Sequence, residues 1–527
     1  MRRSPAPAAG GEITRIDWPL VLPDAWILNG PPAAASGVCY DSRKVTPNSL
    51  FVAVPGVQPP RSRDGHDFIE VALERGASVL LVQADRQAKW APLAQDAKAA
   101  FLVVPDTRRA LAQVAAAFYG HPARRLRTIG VTGTDGKTTT AHLIAAVLEA
   151  AGLSVGSLTS VAFKAGGEAE LNATHMTTME SPEVQAMLAA MVEAGRRYAV
   201  IEASSHGLAL HRVDECEFDV AVFTTFSSDH LDFHGTLEEY LAAKGRLFEM
   251  LDESIDKGLT KTAVVNADDP ASGQLRSRTM ARAISYGIDA PADVRAEDVR
   301  FHGLASFFTI ATPTGRLEVT VPSPGCFSVY NALAATAVGR ALEVPLETVR
   351  AALAGFGGVP GRMEIVDAGQ AFQVVVDIAS TPEALRRVLE VLRPLTPGQL
   401  IAVFGCAGER DHGRRFGMGR AAGELTDFAV LTNEDPRSEE PDAIVSDIAQ
   451  GLAEAGRREG EDFVRVLDRR RALRHAFERA AAGDVVLLAG KGTEQSIVVG
   501  IEHIPWDERA VARELLSELY PQSQAKP

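Results

Sequence analysis

The sequence predicts an α/β protein in which several largely parallel sheets are covered by helices. Short apolar runs of β-forming residues alternate with helix-period segments nearly throughout the chain. A chain of 527 residues is also too long for one ordinary core, so we expect about three or four domains. With 46% hydrophobic and 23% charged residues, no large segment is too polar to pack.

The charge and the cysteine content restrict the partners and the compartment. A formal net charge of -14 disfavours sequence-independent binding to nucleic acid, which needs many Lys and Arg side chains on phosphates. The four cysteines lie far apart without a C-x-x-C pair, which predicts neither a zinc site nor a disulfide framework. Prolines follow closely on Met1, so no export signal is predicted, and no apolar run reaches the roughly 20 residues of a membrane span. We therefore expect a cytoplasmic protein without membrane insertion.

The first block of alternating elements covers residues 1–107. Its apolar runs, predicted as strands, are Leu50 to Val54, Ser78 to Val82 and Phe101 to Val104. A helical segment starts near Thr107, where we place the first domain boundary.

The second block covers residues 108–358 and opens with a strand that ends at Val131, a Gly-rich loop and a helix. A helix beginning near Asn331 closes the block, and the turn-rich segment Gly355 to Gly361 marks the second boundary. Further strands are predicted at Tyr198 to Glu202, Asp219 to Phe226 and Thr262 to Asn266.

The third block covers residues 359–527 and resembles a doubly wound, Rossmann-like sheet. Ligands of such sheets bind beyond the carboxyl ends of the strands. Three loops fall there, namely Gly405 to Arg415, Asn433 to Arg437 and Gly490 to Glu494, so we predict a second site among them. The predicted strands are Val374 to Asp377, Leu400 to Gly405, Phe428 to Asn433, Phe463 to Leu467 and Val485 to Leu488.

The Gly-rich loop of the second block predicts a phosphate site, because free N–H groups and the helix dipole favour an anion at a helix start. Lys137 would neutralise the β- and γ-phosphates of a nucleotide, and the Thr138 hydroxyl would bind Mg²⁺. Val131 stands where the strict Walker pattern has its first Gly, so a Gly-rich turn that merely starts a helix is the alternative. The predicted ATP-binding loop residues are Gly133, Thr134, Asp135, Gly136, Lys137, Thr138 and Thr139.

Two further residues follow predicted strands on the same side of the sheet. Glu202 ends the strand Tyr198 to Glu202, and its carboxylate suits a Mg²⁺ ligand. His230 follows the next strand along the chain. A solvated glutamate and a packing histidine are the alternatives, and only the combination with the phosphate loop favours a metal site.

These segments, taken in order, resemble the Mur ligases, the enzymes that build the peptide stem of the bacterial cell wall. The resemblance extends over nearly the whole chain and is most specific to the branch that acts on UDP-N-acetylmuramoyl-L-alanyl-D-glutamate. The segments that carry it are Asp41 to Arg43 with Leu50 to Gly56, the phosphate loop, Thr177-Thr178, Glu202 to Gly207 with Arg212, Asp229 to Asp232, Ala243-Lys244, Asn331 to Ala335, Gly361-Arg362, Gly405 to Arg415 and Asp435 to Arg437.

The resemblance implies three domains, which bind a UDP-sugar (1–107), hydrolyse ATP (108–358) and bind an amino acid (359–527). It implies ATP and Mg²⁺ as cofactors, and a carbamylated lysine at Lys244. Its catalytic residues would be Lys137, Lys244, Glu202 and His230, and its Mg²⁺ ligands Thr138, Glu202, His230 and Lys244. Ser42 would contact the uridine end of the UDP-sugar dipeptide, and Thr177, Thr178, Ser204 and Arg212 would hold its muramoyl-dipeptide. Asn331, Arg362 and Asp377 would complete the nucleotide site.

The implied reaction explains why these residues and cofactors would be needed. A carboxylate is a poor electrophile, so ATP would first phosphorylate the D-glutamate carboxylate, with Lys137 and Mg²⁺ offsetting the charge of the transition state. The acyl phosphate would then react with the amine of a free amino acid, and domain closure would exclude water. A carbamate on Lys244 would turn a cation that repels Mg²⁺ into an oxygen ligand. An exposed helix lysine is the alternative for Lys244. We expect a monomer that binds UDP-N-acetylmuramoyl-dipeptide and an amino acid.

The amino acid that is added depends on the loop Glu434 to Arg437. In branch members that use meso-diaminopimelate, the similar loop reads Asp-Asn-Pro-Arg, and its Asn and Arg hold the distal carboxylate. Here Asp435 replaces the Asn and adds a negative charge, which favours the ammonium of lysine or ornithine. Meso-diaminopimelate stays slightly favoured, because Arg437 is kept. The predicted amino-acid-binding residues are Arg410, Asp435, Pro436, Arg437, Gly490 and Glu494.

Several positions depart from the family pattern, which leaves two other readings open. The departures are Met176, Leu210, Thr225, Ser228, Ile378 and Ser380. One reading is a degenerate ligase that binds a nucleotide without catalysis, against which Lys137, Glu202, His230 and Lys244 argue together. The other is a folylpolyglutamate or cyanophycin-type carboxylate–amine ligase, against which the block Asp41 to Arg43 argues.

Overall fold

The computed structural model describes residues 14–57, 63–172, 174 and 176–521. The N-terminal tail for which we predict no export signal lies outside these residues. The chain divides into two compact units. The first comprises Met1–Ala296, Ile310–Leu317 and Tyr330–Ala352, and the second comprises Glu297–Thr309, Glu318–Val329 and Leu353–Pro527.

The first unit begins with a five-stranded sheet of order β1-β5-β4-β3-β2, in which only β1 runs antiparallel to its neighbour. Buried aliphatic and aromatic side chains cover both faces, which confirms the layered α/β class for this part of the chain. The strands are β1 (Trp26–Leu28), β2 (Val38–Cys39), β3 (Leu50–Val52), β4 (Val79–Gln83) and β5 (Ala100–Val104). The helices are α1 (Trp18–Val21), α2 (Ile69–Glu74), α3 (Gln87–Asp96) and α4 (Thr107–Phe118).

A second, larger sheet follows. Its strands are β6 (Arg127–Thr132), β7 (Val155–Leu158), β8 (Ala162–Lys164), β9 (Glu170–Leu171), β10 (Tyr198–Glu202), β11 (Phe218–Phe223), β12 (Thr262–Asn266), β13 (Arg282–Gly287), β14 (Val294–His302), β15 (Ala305–Thr312) and β16 (Gly315–Val321). Its helices are α5 (Lys137–Ala150), α6 (Ser181–Glu193), α7 (Ser205–Ala209), α8 (Leu231–His234), α9 (Leu237–Glu253), α10 (Ser272–Arg276), α11 (Cys326–Ala341) and α12 (Leu346–Ala354).

The order of this sheet explains where its polar residues gather. Strand β6 lies between β10 and β11, and both neighbours run parallel to it. The carboxyl ends of the three strands therefore meet at one edge, where β6 enters the Gly-rich loop and β10 ends at Glu202. Helix α11 begins at Cys326, five residues before the predicted start at Asn331, directly after Gly325, whose φ is 86°.

The second unit holds a six-stranded sheet of order β17-β18-β22-β19-β20-β21 and a β23–β24 hairpin. All pairs of the six are parallel except β17 with β18, as a doubly wound sheet predicts. The strands are β17 (Glu364–Ile365), β18 (Gln373–Asp377), β19 (Leu400–Phe404), β20 (Phe428–Leu431), β21 (Phe463–Arg465), β22 (Val485–Ala489), β23 (Ser496–Val499) and β24 (Glu502–Pro505). The helices are α13 (Pro382–Leu392), α14 (His412–Leu425), α15 (Pro441–Glu454), α16 (Arg469–Arg479) and α17 (Glu508–Leu519).

Helices cover both faces of this sheet. Side chains of α13, α14 and α15 pack into one buried cluster, and those of α16 and α17 into another. A buried ion pair ties the second layer to the strand ends: Arg469 contacts Glu508 at 2.6 Å and donates to the carbonyls of Asn433 and Ala489 at 3.0 and 2.9 Å. The loops that follow β20 and β22 are thus held by one guanidinium. Within the described residues, no helix has the length and apolar character of a membrane span.

Candidate nucleotide, substrate and amino-acid sites

The Gly-rich loop adopts the strand–loop–helix geometry that the sequence predicts. Gly133 and Gly136 have φ values of 152° and 81°, a region that favours glycine, and α5 begins at Lys137. The Lys137 ammonium donates to the carbonyls of Gly133 and Thr134 at 3.0 and 2.8 Å, so it lies over the loop. The Asn331 side chain accepts a bond from Thr140 at 3.0 Å and lies against Gly136. Asn331 and the loop are therefore neighbours.

Thr225, one of the departures from the family pattern, supports this loop. Its carbonyl accepts a bond from the Thr134 N–H at 2.7 Å, and its hydroxyl accepts one from the Asp135 N–H at 3.2 Å. Threonine at this position therefore braces the phosphate loop.

Glu202 and Thr138 form a buried oxygen cluster beside the loop. The Thr138 hydroxyl lies 3.0 and 3.1 Å from the two Glu202 carboxylate oxygens. Ser160 adds its N–H, which donates to Glu202 at 2.9 Å, and its hydroxyl, 2.9 Å from Thr138. Oxygen donors of this kind suit Mg²⁺. Ser160 was not singled out from the sequence, because nothing around it resembles a motif.

Lys244 is buried beside the same loop. It is 1% exposed, and its Nζ atom donates to the Gly133 carbonyl at 2.8 Å. Burial, with Lys137 nearby, lowers the pKa of the Lys244 amine well below its ordinary value. The alternative of an exposed helix lysine is therefore wrong. A neutral amine is the form that reacts with carbon dioxide to give a carbamate.

Tyr240 contacts both Lys244 and the phosphate loop, although the sequence did not identify it. Its ring centroid lies 4.1 Å from the Lys244 Nζ atom, one helical turn along α9. Its hydroxyl lies 3.2 Å from the Thr134 hydroxyl of the phosphate loop. Only the i, i+4 spacing from Lys244 could have indicated it.

His230 lies at the rim of this site. Its imidazole is about half exposed, contacts Asp229 at 3.3 Å, and lies 6.2 Å from the Tyr240 ring and 4.8 Å from the His206 ring. Over the described ranges, no three His, Cys, Asp or Glu side chains converge as a metal cage. A metal here would need hydroxyl, carbamate or phosphate oxygens in addition to Glu202.

Arg362 and Asp377, predicted to contact the nucleotide, belong to the second unit and are described within it. The Asp377 carboxylate accepts bonds from the Met363 and Ala379 N–H groups, each at 2.8 Å. Burial raises the pKa of Asp377, and the neighbouring Arg362 charge opposes that rise. Ile378, the departure beside it, packs against the backbone of Gly492, which explains how an aliphatic residue fits there.

The residues predicted to hold a muramoyl-dipeptide form one network. The Thr178 hydroxyl lies 3.0 Å from the Ser204 hydroxyl, and Arg212 donates to the Thr178 carbonyl at 3.2 Å. Glu180, not identified from the sequence, pairs with Arg212 at 2.7 Å and fixes its guanidinium. Thr177 is half-buried next to Thr178.

Ser42 lines a cavity of about 560 Å³. The cavity is also bordered by Arg43, Arg63 and Arg108, so it presents several cations. Such a pocket fits a nucleoside diphosphate, whose phosphates need cationic partners. Glu180 borders it as well, so the cavity adjoins the Thr178 network.

The loops after β20 and β22 meet in the second unit. The Lys491 ammonium is fully buried and lies 2.8 Å from the Asp435 carboxylate and 2.6 Å from that of Glu494. The Val498 N–H also donates to Asp435, at 2.9 Å. Lys491 therefore pairs with Asp435, and it offsets one of the two negative charges that Asp435 and Glu494 bring. Lys491 is 56 residues away in sequence, so no local pattern could have shown the pair.

Two other residues of these loops keep polar atoms without partners. The Nε atom of Arg437 and the Oε2 atom of Glu434 are buried and find no hydrogen-bond partner in the described part of the chain. Burial raises the pKa of Glu434 to about 7, although the Arg469 and Lys491 charges oppose the rise. Gly490 lies against the Glu434 carboxylate, and Arg410 is exposed. The arrangement can accept both a carboxylate and an ammonium.

Family models match the chain in three stretches. They are described as the Mur ligase family catalytic domain at residues 35–119, the Mur ligase middle domain at 131–339 and the Mur ligase glutamate ligase domain at 361–492. A UDP-N-acetylmuramyl-tripeptide synthetase of Roseiflexus sp. is 48% identical over 92% of this chain and 95% of the relative. A UDP-N-acetylmuramoyl-L-alanyl-D-glutamate–2,6-diaminopimelate ligase of Geobacillus thermodenitrificans is 42% identical over 94% and 98%.

Solved structures show the same architecture. A structure of a UDP-N-acetylmuramoyl-L-alanyl-D-glutamate–2,6-diaminopimelate ligase, 30% identical, superposes with a TM-score of 0.65 over 96% of this chain and 99% of that one. The MurF ligase of Thermotoga maritima in complex with ADP is 20% identical, with a TM-score of 0.56 over 92% and 96%, and shows the fold alone.

Proposed function

The chain belongs to the Mur ligase family of ATP-dependent ligases, and from this premise we propose that it adds meso-diaminopimelate to UDP-N-acetylmuramoyl-L-alanyl-D-glutamate. The observation that carries the proposal is the phosphate loop with Lys137, set beside the buried Thr138–Glu202 cluster and the buried amine of Lys244. At one edge of the central sheet, the loop would bind phosphate and the oxygen cluster would bind a metal ion. The Lys244 amine would be available to form a carbamate beside them.

Phosphoryl transfer is the first step of the proposed reaction. The D-glutamate carboxylate oxygen attacks the γ-phosphorus of ATP, the bond to the β-phosphate oxygen breaks, and ADP leaves. Lys137 stabilises the charge that accumulates on the transferred group, because its ammonium already lies over the loop that binds the phosphates. The N–H groups at the start of α5 orient the same phosphates.

Thr138 and Glu202, with a carbamate on Lys244 and with His230 at the rim, fit a Mg²⁺ ion because they present hard oxygen donors and one imidazole. Bound Mg²⁺ would neutralise phosphate charge. Ser160 holds Glu202 in position through its N–H. Burial lowers the pKa of Lys244, which favours the neutral amine that carbamylation requires.

Amide formation is the second step. The neutral amine of the amino acid attacks the acyl carbon, the tetrahedral intermediate collapses, and inorganic phosphate leaves while the nitrogen loses a proton. In the amino-acid site, Arg437 and Arg410 would bind carboxylates and Glu434 and Glu494 ammonium groups, beside Asp435, Pro436 and Gly490. Ser42 and its cavity would bind the uridine diphosphate, and Thr177, Thr178, Ser204 and Arg212 the muramoyl-dipeptide.

The nucleotide site would be completed by Asn331, Arg362 and Asp377. We further propose the domain boundaries 1–107, 108–358 and 359–527, a cytoplasmic location and a monomeric state. The three separate matches to family models and the three large sheets support this division.

The decisive experiment measures product and ADP formation with UDP-N-acetylmuramoyl-L-alanyl-D-glutamate and, separately, meso-diaminopimelate, L-lysine and L-ornithine. We expect turnover with meso-diaminopimelate. Turnover with none of the three would contradict the ligase proposal and favour a non-catalytic nucleotide-binding protein. A preference for lysine or ornithine would overturn the proposed amine alone.

Lys137→Ala should reduce product formation at least about a thousandfold, because no other side chain replaces the charge at the phosphates. Lys164→Ala is the matched control, since Lys164 pairs with Glu149 on the outer side of the same block. Retained turnover in Lys137→Ala would remove the loop lysine from the mechanism.

A further inference from the structure

Two arginines and one glutamate join the Ser42 cavity to the Thr178 network. The Glu180 Oε1 atom lies 2.7 Å from an Arg212 nitrogen, and its Oε2 atom lies 3.9 Å from an Arg108 nitrogen. Between 14% and 16% of each of the three side chains is exposed, so water screens these pairs only in part. A carboxylate with one oxygen towards each of two guanidiniums restrains both of them. We name these three side chains the Glu180 bridge.

The Glu180 bridge connects three segments that are distant in the sequence. Arg108 is the second residue of α4, Glu180 immediately precedes α6, and Arg212 follows α7. A further contact holds the start of α6 against the first sheet, because the Tyr40 hydroxyl donates to Glu183 at 2.9 Å. The packing of α6 therefore sets the position of Glu180 between the two arginines.

The next acidic group near the two guanidiniums is engaged elsewhere. The Asp106 carboxylate caps α4, where it accepts from the N–H groups of Arg108 and Arg109 at 2.8 and 3.2 Å. It is about half exposed and lies 3.6 Å from the His211 imidazole. Among the residues that the structure describes, Glu180 is thus the one carboxylate within ion-pair distance of either guanidinium of the Glu180 bridge.

Both guanidiniums keep N–H donors for a ligand. Arg212 donates to the Thr178 carbonyl at 3.2 Å and pairs with Glu180, while its buried Nε atom finds no partner in the described part of the chain. Arg108 donates to the Pro55 carbonyl at 2.8 Å and borders the cavity. A guanidinium carries more donors than these contacts use. The remaining donors suit oxyanions, which arginine binds in bidentate pairs.

Arg108 is better prepared for a phosphate than the other two arginines of the cavity. The Arg43 side chain is 85% exposed and pairs with Asp41 at 2.8 Å, and Arg63 is exposed as well. Arg108 is largely buried and is held from two sides. A cation that is ordered before binding loses less side-chain entropy when the ligand arrives. We therefore expect Arg108 to make the main contact with the diphosphate.

We infer that Glu180 is a positioning residue that presents Arg108 to the diphosphate and Arg212 to the dipeptide of the UDP-sugar substrate. One carboxylate thereby aligns two cations with two anionic parts of the same ligand. The inference rests on the proposed function. Glu180 acts through the two arginines and takes no part in the chemical step.

The test measures equilibrium binding to the full-length protein, without turnover, by isothermal titration calorimetry. The ligands are UDP-N-acetylmuramoyl-L-alanyl-D-glutamate, UDP and ATP, each titrated separately. Glu180→Gln removes the negative charge and keeps the side-chain size, while Arg108→Met and Arg212→Met each remove one cation. Glu193→Gln, at the exposed far end of α6, is the matched control.

In Glu180→Gln, the Kd for the UDP-sugar dipeptide should rise about tenfold or more and the Kd for UDP about threefold or more, with the Kd for ATP unchanged. Arg108→Met should weaken the binding of both UDP ligands, whereas Arg212→Met should weaken that of the UDP-sugar dipeptide alone. Glu193→Gln should change none of the three constants. A glutamate with a purely structural role would change the melting temperature without this selective loss.

An unchanged Kd for either UDP ligand in Glu180→Gln, or an equal loss of affinity for ATP, would overturn this inference and leave the proposed function intact. If Glu180→Gln fails to fold, Arg108→Met decides: weaker binding of UDP supports the inference, and unchanged binding overturns it. Wild-type protein that binds the UDP-sugar dipeptide without turnover would contradict the proposed reaction alone. Wild-type protein that does not bind it would contradict the proposed function and this inference together.

Discussion

Three lysines have different roles because their surroundings differ. Lys137 donates to two loop carbonyls and lies where phosphates would bind, Lys244 is buried with a lowered pKa, and Lys491 is buried between two carboxylates. The same side chain is thus suited to be a fixed cation, an amine whose neutral form is favoured and a counterion. Neighbours that are distant in sequence decide among these roles.

Lys244→Met should lower ligase turnover at least about a hundredfold, because methionine cannot carry the carbamate oxygen that would bind Mg²⁺. The melting temperature should stay the same or rise, since an apolar side chain replaces a buried amine. Wild-type protein incubated with ¹³C-bicarbonate should show a carbamate signal in NMR spectra that is missing from the variant. Wild-type spectra without that signal would contradict the assignment.

Glu434 should make stability depend on pH. Burial raises its pKa from 4.5 to about 7 in the folded protein, so the protonated acid is favoured by folding. That stabilisation is complete below about pH 4.5 and is lost as the pH rises through 7. Glu434→Gln mimics the protonated form at every pH.

The free energy of unfolding of Glu434→Gln should therefore match that of the wild type near pH 5 and exceed it at pH 8, by up to about 3 kcal/mol. Urea unfolding at pH 5, 6, 7 and 8 measures the difference. Glu454→Gln, at the exposed end of α15, is the control and should show no such growing gain. A constant difference across the pH series would refute the burial effect.

At the scale of elements, the stability of the second unit depends on the contact between α16 and the strand ends. Arg469 is 1% exposed at its side chain, pairs with fully buried Glu508 at the start of α17, and donates to carbonyls at the ends of β20 and β22. Both loops of the amino-acid site begin at those carbonyls. Stability and site geometry are therefore coupled through one guanidinium.

Arg469→Met should lower the free energy of unfolding by about 3–5 kcal/mol, because it leaves the Glu508 carboxylate buried without its cation. Arg470→Ala, one residue along the same helix but in an exposed pair with Glu514, should cost no more than about 1 kcal/mol. Urea denaturation of both variants gives the comparison. Equal costs would show that burial of the pair does not matter.

For the whole molecule, the sequence predicted the fold class and the strands with continuous apolar runs, such as β4, β10, β19 and β22. It did not predict β14, in which only two of nine residues are buried and the apolar signal is weak. The predicted strand Asp219 to Phe226 ends earlier, at Phe223, because the chain then turns to brace the phosphate loop through Thr224 and Thr225.

The candidate sites were predictable where a motif is local and not where a contact is long-range. Gly133 to Thr139 and Glu202 follow strands within a few residues, so their position at the sheet edge could be inferred. Tyr240, Glu180 and Lys491 depend on packing between distant segments. The pairing of Asp435 with Lys491 was missed for that reason.

We expect a single species of 56.1 kDa in sedimentation velocity, with and without ATP and the UDP-sugar dipeptide. The net charge of -14 keeps copies apart at low ionic strength. Measurement at two salt concentrations separates weak self-association from charge repulsion. A dimer at both concentrations would contradict the monomeric state.

The phosphate loop has a consequence for drug resistance. A Cβ atom at Gly133 would overlap the Thr224 hydroxyl and lie 3.0 Å from the Thr225 backbone nitrogen, and φ there is 152°. No side chain can be added at this position without distorting the loop on which the proposed catalysis depends. An inhibitor that binds through the backbone of this loop would therefore leave a bacterium few single substitutions by which to escape it.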